Sequence, residues 1–202
     1  MYHTKSKPHV HTATPETSGH TLNRMAPFYD KFVQFLMLGK ERKARLETIE
    51  QAQIKLGDQI LDVGCGTGNL TIAAAQRLNG TGKVCGIDPA AKMIEIAQRK
   101  IAQKGLDIDF RVGLIENIPY PDNHFDVVFS SLMMHHLPLE LKANSLFTKT
   151  SPGNQVLMPL PEPDAPYVSE ASEVFPDFKL SNPSSWSVSK VPDNMSSPLL
   201  SR

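Results

Sequence analysis

Three features are scarce in this chain of 202 residues, and each absence excludes a class of protein. Cys65 and Cys85 are the only cysteines and the N-terminus is not of signal type, so we expect no disulfide framework and a reduced, cytoplasmic protein. No apolar run approaches the roughly 20 residues that span a bilayer, so stable membrane insertion is not expected. Lysine plus arginine and aspartate plus glutamate both total 21, which leaves no basic field for nucleic acid. We therefore expect one domain with tails and a small-molecule partner.

What the chain does contain is a glycine-rich turn. An apolar run over 59–63 stops at Gly64, Gly66 and Gly68, and apolar residues then recur at helical spacing over 70–78. This pattern predicts a strand, a tight turn and a helix. Glycine permits positive φ and lets a ligand touch the main chain, while the helix N-terminus offers free N–H groups and a positive dipole. The turn is therefore a candidate seat for an adenosyl-type cofactor.

Strand and helix patterns alternate after this turn. The predicted strands cover 84–87, 108–112 and 125–131, and a helix is predicted over 90–103. The alternation predicts an α/β fold, a Rossmann-like and mostly parallel sheet with flanking helices. Asp88 ends the second strand, where a carboxylate is placed to bind both hydroxyls of a ribose. One turn later, Met93 is a candidate either for contact with an adenine ring or for core packing.

The N-terminal region divides into two parts. Residues 1–22 show no apolar periodicity and are predicted to be a disordered tail, and no metal site is predicted for its histidines because no carboxylate or cysteine stands at a defined spacing. From Asn23 to Leu38, apolar residues recur at three- and four-residue steps, which predicts an amphipathic helix. That helix has three open placements: packing on the core, covering the site as a lid, or lying on a membrane surface.

The C-terminal region has a different composition. Nine prolines and eleven serines occur from Ser151 onward, so we expect a core over 23–150 followed by an irregular Pro/Ser-rich tail over 151–202. A single short strand over Gln155–Met158 is left open.

Taken together, these motifs resemble those of the class I S-adenosylmethionine-dependent methyltransferases. Within the class, the segment Met25–Asp30 is similar to the small-molecule branch that contains the ubiquinone and menaquinone biosynthesis enzymes. The resemblance covers about residues 23–147, and it implies that the C-terminal part is truncated or rearranged relative to the family. The C-terminal strands of the family's sheet would then be missing or degenerate, and in the family's strand order this would leave 127–129 on an exposed edge. The matching motifs are Asp62-x-Gly64-x-Gly66-x-Gly68, Asp88, Phe125-Asp126-Val127-Val128 and His135-His136-Leu137-Pro138.

The resemblance implies S-adenosylmethionine as the cofactor and a methyl group as the transferred unit. A small hydrophobic or aromatic acceptor is expected, because aromatic residues and methionines fall on the segments that would face it. His135 or His136 is a candidate base for an acceptor that starts protonated, with ordinary packing as the other interpretation. The residues implied to bind the cofactor are Tyr29, Asp62, Gly64, Cys65, Gly66, Gly68, Asp88, Met93, Leu114, Ile115 and Ser130.

Two other functions remain in view. The altered C-terminal part favours a catalytically impaired cofactor-binding or interaction protein derived from the same family. A nicotinamide-dependent oxidoreductase would share the turn and the acidic residue, but its G-x-G-x-x-G spacing requires glycine where Asn69 stands. The oligomeric state is left open by the sequence.

Overall fold

The structure is a computed structural model of the chain. It describes residues 26, 29, 30, 41–130, 145–159 and 186–190. The candidate bases His135 and His136 lie outside the described residues, as do the predicted tail over 1–22 and most of the predicted helix that begins at Asn23.

Helices and strands alternate along the described part of the chain. The helices are α1 (Glu41–Gln51), α2 (Asn69–Leu78) and α3 (Ala91–Lys104). The strands are β1 (Gln59–Val63), β2 (Lys83–Asp88), β3 (Asp109–Val112), β4 (Phe125–Ser130), β5 (Thr150–Pro159) and β6 (Trp186–Lys190).

The strands form one sheet in the order β3-β2-β1-β4-β5-β6. The pairings from β3 through β5 are parallel, and β6 runs antiparallel to β5. The chain leaves β1 toward β2 on one side and later returns to β4 on the other, so the strand order reverses beside β1. Ligands of open α/β sheets bind outside the carboxyl ends of the strands at such a reversal. The predicted Rossmann-like fold is confirmed, and the fold directs attention to the ends of β1, β2 and β4.

Both faces of the sheet are buried. Successive side chains of a strand point to opposite faces, and Ile60 joins the cluster that α2 and α3 cover, whereas Leu61 joins the cluster on the other face. Phe129 and Val128 divide between the same two clusters, and all four side chains are fully buried. Burial on both sides explains why these strands read as continuous apolar runs rather than as an alternation.

Strand β5 corrects the expectation for the C-terminal region. The strand left open over Gln155–Met158 is present, and it belongs to a longer strand that pairs in parallel with β4. The residues 127–129 therefore do not lie on an exposed edge. The predicted irregular tail over 151–202 contains the rest of β5 and also β6, so the sheet extends past the predicted boundary.

The physical reason is the burial of two apolar residues. Val156 and Leu157 lie opposite Val128 and Phe129 and are fully buried, one on each face of the sheet. The polar start of β5 is accommodated by a shift of register between Phe125 and Val127. A high content of proline and serine around these positions does not prevent pairing, because the buried pair and every pairing with β4 except that of Thr150 lie beyond Pro152.

Candidate functional site

The glycine turn is fastened to the end of β2. The backbone N–H groups of Gly64 and Cys65 both donate to the carbonyl of Ile87, at 2.8 and 2.9 Å. Gly64, Gly66 and Gly68 have φ angles of 77°, 54° and 77°, in the left-handed region that favours glycine. The turn therefore has the backbone conformation that its three glycines predict.

Two of these glycines serve different purposes. A Cβ at Gly68 would lie 2.6 Å from Cζ of Phe110 and 3.0 Å from Cβ of Ala97, so glycine is needed there for the turn to pack on β3 and α3. A Cβ at Gly66 would meet no atom within 4 Å. The backbone at Gly66 thus faces open space beside the reversal of strand order, where a ligand can approach the main chain.

Asp88, at the end of β2, binds the backbone of the turn. Its Oδ2 accepts a hydrogen bond from the N–H of Gly66 at 2.9 Å, and its Oδ1 accepts one from the N–H of Ala90 at 2.8 Å. The side chain is buried, and this burial raises the pKa of Asp88 while the two backbone donors act in the opposite direction. A carboxylate has about four acceptor positions, so each oxygen retains capacity for another donor such as a ribose hydroxyl.

Asp62 lies in β1 just before the turn, and Cys65 lies within it. Asp62 is fully buried, and its Oδ2 accepts a hydrogen bond of 2.7 Å from the hydroxyl of Thr71 in α2. Burial raises the pKa of the Cys65 thiol, and the charges of Asp62 and Asp88 raise it further. Asp62 therefore connects β1 to α2, and the predicted contact of Asp62 and Cys65 with the cofactor stays a prediction.

Ser130 ends β4 on the opposite side of the reversal point. It lies opposite Val63 in the register of β1 and β4 and is fully buried. Within the described residues its hydroxyl has no hydrogen-bond partner. A buried hydroxyl at the carboxyl end of β4 is a polar group suited to a ligand in the crevice.

Met93 and Tyr29 meet at the start of α3. Met93 is 1% exposed and packs with Ala26 and Ala90, and Tyr29 packs against the same cluster. Burial raises the pKa of Tyr29, and the neighbouring charge of Asp88 adds to this effect. The structure thus brings Tyr29 close to the predicted ribose-binding carboxylate, while Met93 occupies a packed position.

Leu114 and Ile115 lie in the loop after β3 but have different surroundings. Leu114 is 41% exposed, whereas Ile115 is buried in the cluster formed around Leu61 and Val128. Leu114 is therefore available to a ligand at this edge of the sheet, and Ile115 packs in the core. Contact of either residue with adenine stays a prediction.

A polar network beside the turn was not predicted from the sequence. Lys100 in α3 donates to Oδ2 of Asp30 at 2.7 Å, to the hydroxyl of Thr67 at 2.9 Å and to Oδ1 of Asn69 at 2.7 Å. The sequence does place Lys100 on the buried face of α3, because Lys100 lies seven residues after Met93. A charged residue within an apolar helical stripe needs partners, but sequence spacing does not identify them.

The described arrangement has polar groups suited to a cofactor. Across the described ranges, no group of three or more histidine, cysteine, aspartate or glutamate side chains is placed to hold a metal ion. In that same part of the chain, no helix has the length and apolar character needed to cross a bilayer. The turn, Asp88, Tyr29 and Ser130 gather at the carboxyl edge of the sheet, which defines a Rossmann-like domain of the kind that binds adenosyl cofactors.

Comparisons with known proteins show which proteins this chain is similar to. Residues 60–149 match the family model described as a methyltransferase domain. The chain is similar to the class I S-adenosylmethionine-dependent methyltransferases, and to their quinone-biosynthesis branch in particular. S-adenosylmethionine is the cofactor of this class, and the open backbone at Gly66 above a buried carboxylate fits it.

Two curated relatives and one solved structure illustrate the similarity. The chain is 35% identical over 127 residues to a demethylmenaquinone methyltransferase of Lactobacillus johnsonii, covering 61% of this chain and 52% of that protein. It is 32% identical over 148 residues to the protein of that name from Lactiplantibacillus plantarum, covering 71% of this chain and 62% of that protein. The chain thus spans between half and two thirds of these relatives.

One solved structure is matched over a larger share of its own length. A SAM-dependent methyltransferase from Aquifex aeolicus superposes with a TM-score of 0.60 at 19% identity, covering 73% of this chain and 89% of that one. At this identity the likeness shows the fold.

Proposed function

We propose that this chain catalyses methyl transfer from S-adenosylmethionine to a small hydrophobic or aromatic acceptor of the hydroquinone type. The carrying observation is the backbone at Gly66, which faces open space while its N–H group is held by the carboxylate of Asp88. Glycine at this point admits a ligand to the main chain, and Asp88 places acceptor oxygens beside it. The family match and the names of the relatives support the same reaction.

When bound, S-adenosylmethionine supplies a methyl group already activated by its sulfonium. The residues of this chain are then needed mainly to align the acceptor and to exclude water, and alignment of this kind contributes about 7 to 11 kcal/mol. The rigid turn, pinned by the two N–H bonds to Ile87, suits that task because it does not have to reorganise during the reaction.

We propose the following roles for the remaining candidates. Asp88 binds the ribose hydroxyls, and Tyr29 covers the same region from the N-terminal side. His135 or His136 removes a proton from the acceptor, a role that suits the ordinary pKa of imidazole near 6.5. An apolar acceptor is supported by Leu114, a large apolar side chain that is 41% exposed at the carboxyl edge of the sheet.

The test is a transfer assay with tritium-labelled S-adenosylmethionine and demethylated naphthoquinols. We expect label in the reduced, electron-rich hydroquinone and none in the oxidised quinone, because the oxidised ring lacks a nucleophilic position. Replacement of both His135 and His136 by glutamine is expected to lower the rate by about 10²-fold or more if either acts as the base. Cofactor binding without transfer to any hydroquinone would contradict the proposed reaction.

A further inference from the structure

We infer that Lys100 is a positioning residue of the cofactor site, which holds Asp30, and with it Tyr29, against the glycine turn. This inference rests on the proposed function, since the site concerned is the one proposed for S-adenosylmethionine. It assigns a role to a residue of α3 that lies outside the turn and outside the motifs of the family resemblance.

The contacts of Lys100 exhaust its donors. An ammonium group has three N–H donors, and here three oxygens lie within 2.7 to 2.9 Å of Nζ, from Asp30, Thr67 and Asn69. The lysine side chain is 22% exposed and that of Asp30 is 39% exposed, so the pair is partly shielded from water. Such a pair is stronger than an exposed one because water and salt screen it less.

Asp30 is held from the other side as well. Its Oδ1 accepts hydrogen bonds from the hydroxyl of Thr67 at 2.5 Å and from Nδ2 of Asn69 at 3.2 Å. Thr67 lies in the glycine turn and Asn69 opens α2, whose N-terminus carries a partial positive charge that favours a carboxylate. Asp30 therefore joins the N-terminal segment to the turn through two groups that Lys100 also binds.

A second acidic residue makes the lysine more important. Glu41 at the start of α1 accepts a hydrogen bond from Asn69 and pairs with Arg45. Two carboxylates thus converge on Asn69, and Lys100 supplies positive charge on the opposite side of that amide. Removal of Lys100 would take away the positive charge that pairs with Asp30. Arg45 and the N-terminus of α2 would then have to offset the repulsion between Asp30 and Glu41.

The consequence for the site follows from the position of Tyr29. This residue precedes Asp30 and packs against Ala90 and Met93, near Asp88. Displacement of Asp30 would therefore also displace Tyr29 from the carboxylate proposed to bind the ribose. Lys100 acts through Asp30 and Tyr29 and does not itself have to touch the cofactor.

The first test measures the affinity for S-adenosylmethionine by calorimetric titration. We expect Lys100→Met to weaken binding about three- to tenfold, the size of effect that loss of a partly buried charge-assisted contact produces. Lys104→Met on the same helix is the matched control, because Lys104 is exposed and ends α3. Lys100→Arg is expected to restore most of the affinity, since it retains the charge and the donors.

The second test needs no cofactor. Hydrogen–deuterium exchange of peptides that include residues 26–30 is expected to accelerate in Lys100→Met and in Asp30→Asn, but not in Lys104→Met. The double variant is expected to lose no more affinity than the larger of the two single losses, because both changes break the same connection. A purely structural role would lower the free energy of unfolding without this coupling in affinity.

The outcomes separate the two proposals. Unchanged affinity and unchanged exchange in Lys100→Met, with normal binding by the original chain, would overturn the positioning role and leave the proposed function intact. Absence of S-adenosylmethionine binding by the original chain would overturn the proposed function and the effect on affinity together. Additive losses in the double variant would also contradict the inference.

Discussion

The two halves of the sheet differ in how their strands are specified. In the half that contains β1 and β2, five consecutive residues pair without a shift, and three glycines at positive φ turn the chain directly into α2. In the half that contains β4 and β5, the ladder shifts register and β5 includes Pro152 and Gly153. A turn whose backbone conformation requires glycine therefore has a strong sequence pattern. A strand that is stabilised mainly by pairing with its neighbour has a weak one.

The substitution with the largest expected effect tests whether β5, the strand with the weak sequence pattern, is part of the folded core. Leu157→Ala is expected to lower the free energy of unfolding by about 2 to 5 kcal/mol, because Leu157 is fully buried in the cluster that contains Ile60 and Phe129 and its truncation leaves a cavity. Urea denaturation measures the change. Pro152→Ala is the control on the same strand, since Pro152 is exposed, and a loss in Leu157→Ala no larger than in this control would show that β5 does not stabilise the core.

The second prediction concerns the glycine turn after β1, which has the strong sequence pattern. Gly68→Ala is expected to lower the free energy of unfolding by about 2 to 4 kcal/mol, because its Cβ would overlap Phe110 and its φ of 77° is strained for alanine. The same denaturation experiment measures it. Gly66→Ala is the comparison for stability, and equal losses at the two glycines would contradict the distinction between a packed and an open glycine.

The third effect concerns the carboxylate that joins the turn to β2. Asp88→Asn is expected to cost about 1 to 2 kcal/mol at pH 7, because the amide presents an oxygen to only one of the N–H groups of Gly66 and Ala90. The measurement is again the free energy of unfolding, now as a function of pH.

The stability difference between the original chain and Asp88→Asn is expected to depend on pH, and the direction of this dependence follows from the pKa of Asp88. Burial raises the pKa of Asp88 above the value of 3.8 that it has when exposed, so the folded state binds the proton more tightly than the unfolded state. The contribution of this group to stability is therefore full below that ordinary value and is lost as the pH rises through the raised one. We expect the stability of the original chain relative to Asp88→Asn to increase on acidification within this window, and the opposite trend would contradict a buried Asp88.

The smallest effect on stability is expected at the open glycine. Gly66→Ala is predicted to cost about 1 kcal/mol, because only the backbone strain at a φ of 54° opposes alanine and no atom lies within 4 Å of the new Cβ. Gly80→Ala is the matched control, with a φ of 80° and equally open surroundings in the loop after α2. Thermal unfolding should place the two variants together, and a much larger loss at Gly66 would show that this position is packed.

The sequence predicted the features that depend on neighbouring residues. The turn at 64–68 and the carboxylate at the end of β2 were located because glycine conformation and strand ends are local properties. The partners of Asp88 were not predicted, since a free carboxylate was expected to meet a ribose and the structure shows its oxygens bound to the backbone of Gly66 and Ala90.

Contacts between distant residues could not be predicted in this way. Lys100 meets Asn69 across 31 positions of the chain, and Thr67 meets Asp30 across 37. No periodicity or motif encodes such pairings, because they depend on how α2 and α3 pack beside the turn. Strand β5 was underestimated for a related reason, since Val156 and Leu157 become strand residues only beside Val128 and Phe129.

The central claim is that the open backbone at Gly66 receives S-adenosylmethionine. Calorimetric titration of this cofactor into the original chain, Gly66→Ala and Gly80→Ala tests it most directly, because the two variants have matched effects on stability. The account predicts binding by the original chain and by Gly80→Ala, and binding about tenfold or more weaker by Gly66→Ala, in which the added methyl group occupies the approach to the main chain. Equal affinities of the two variants, or no binding by the original chain, would contradict it.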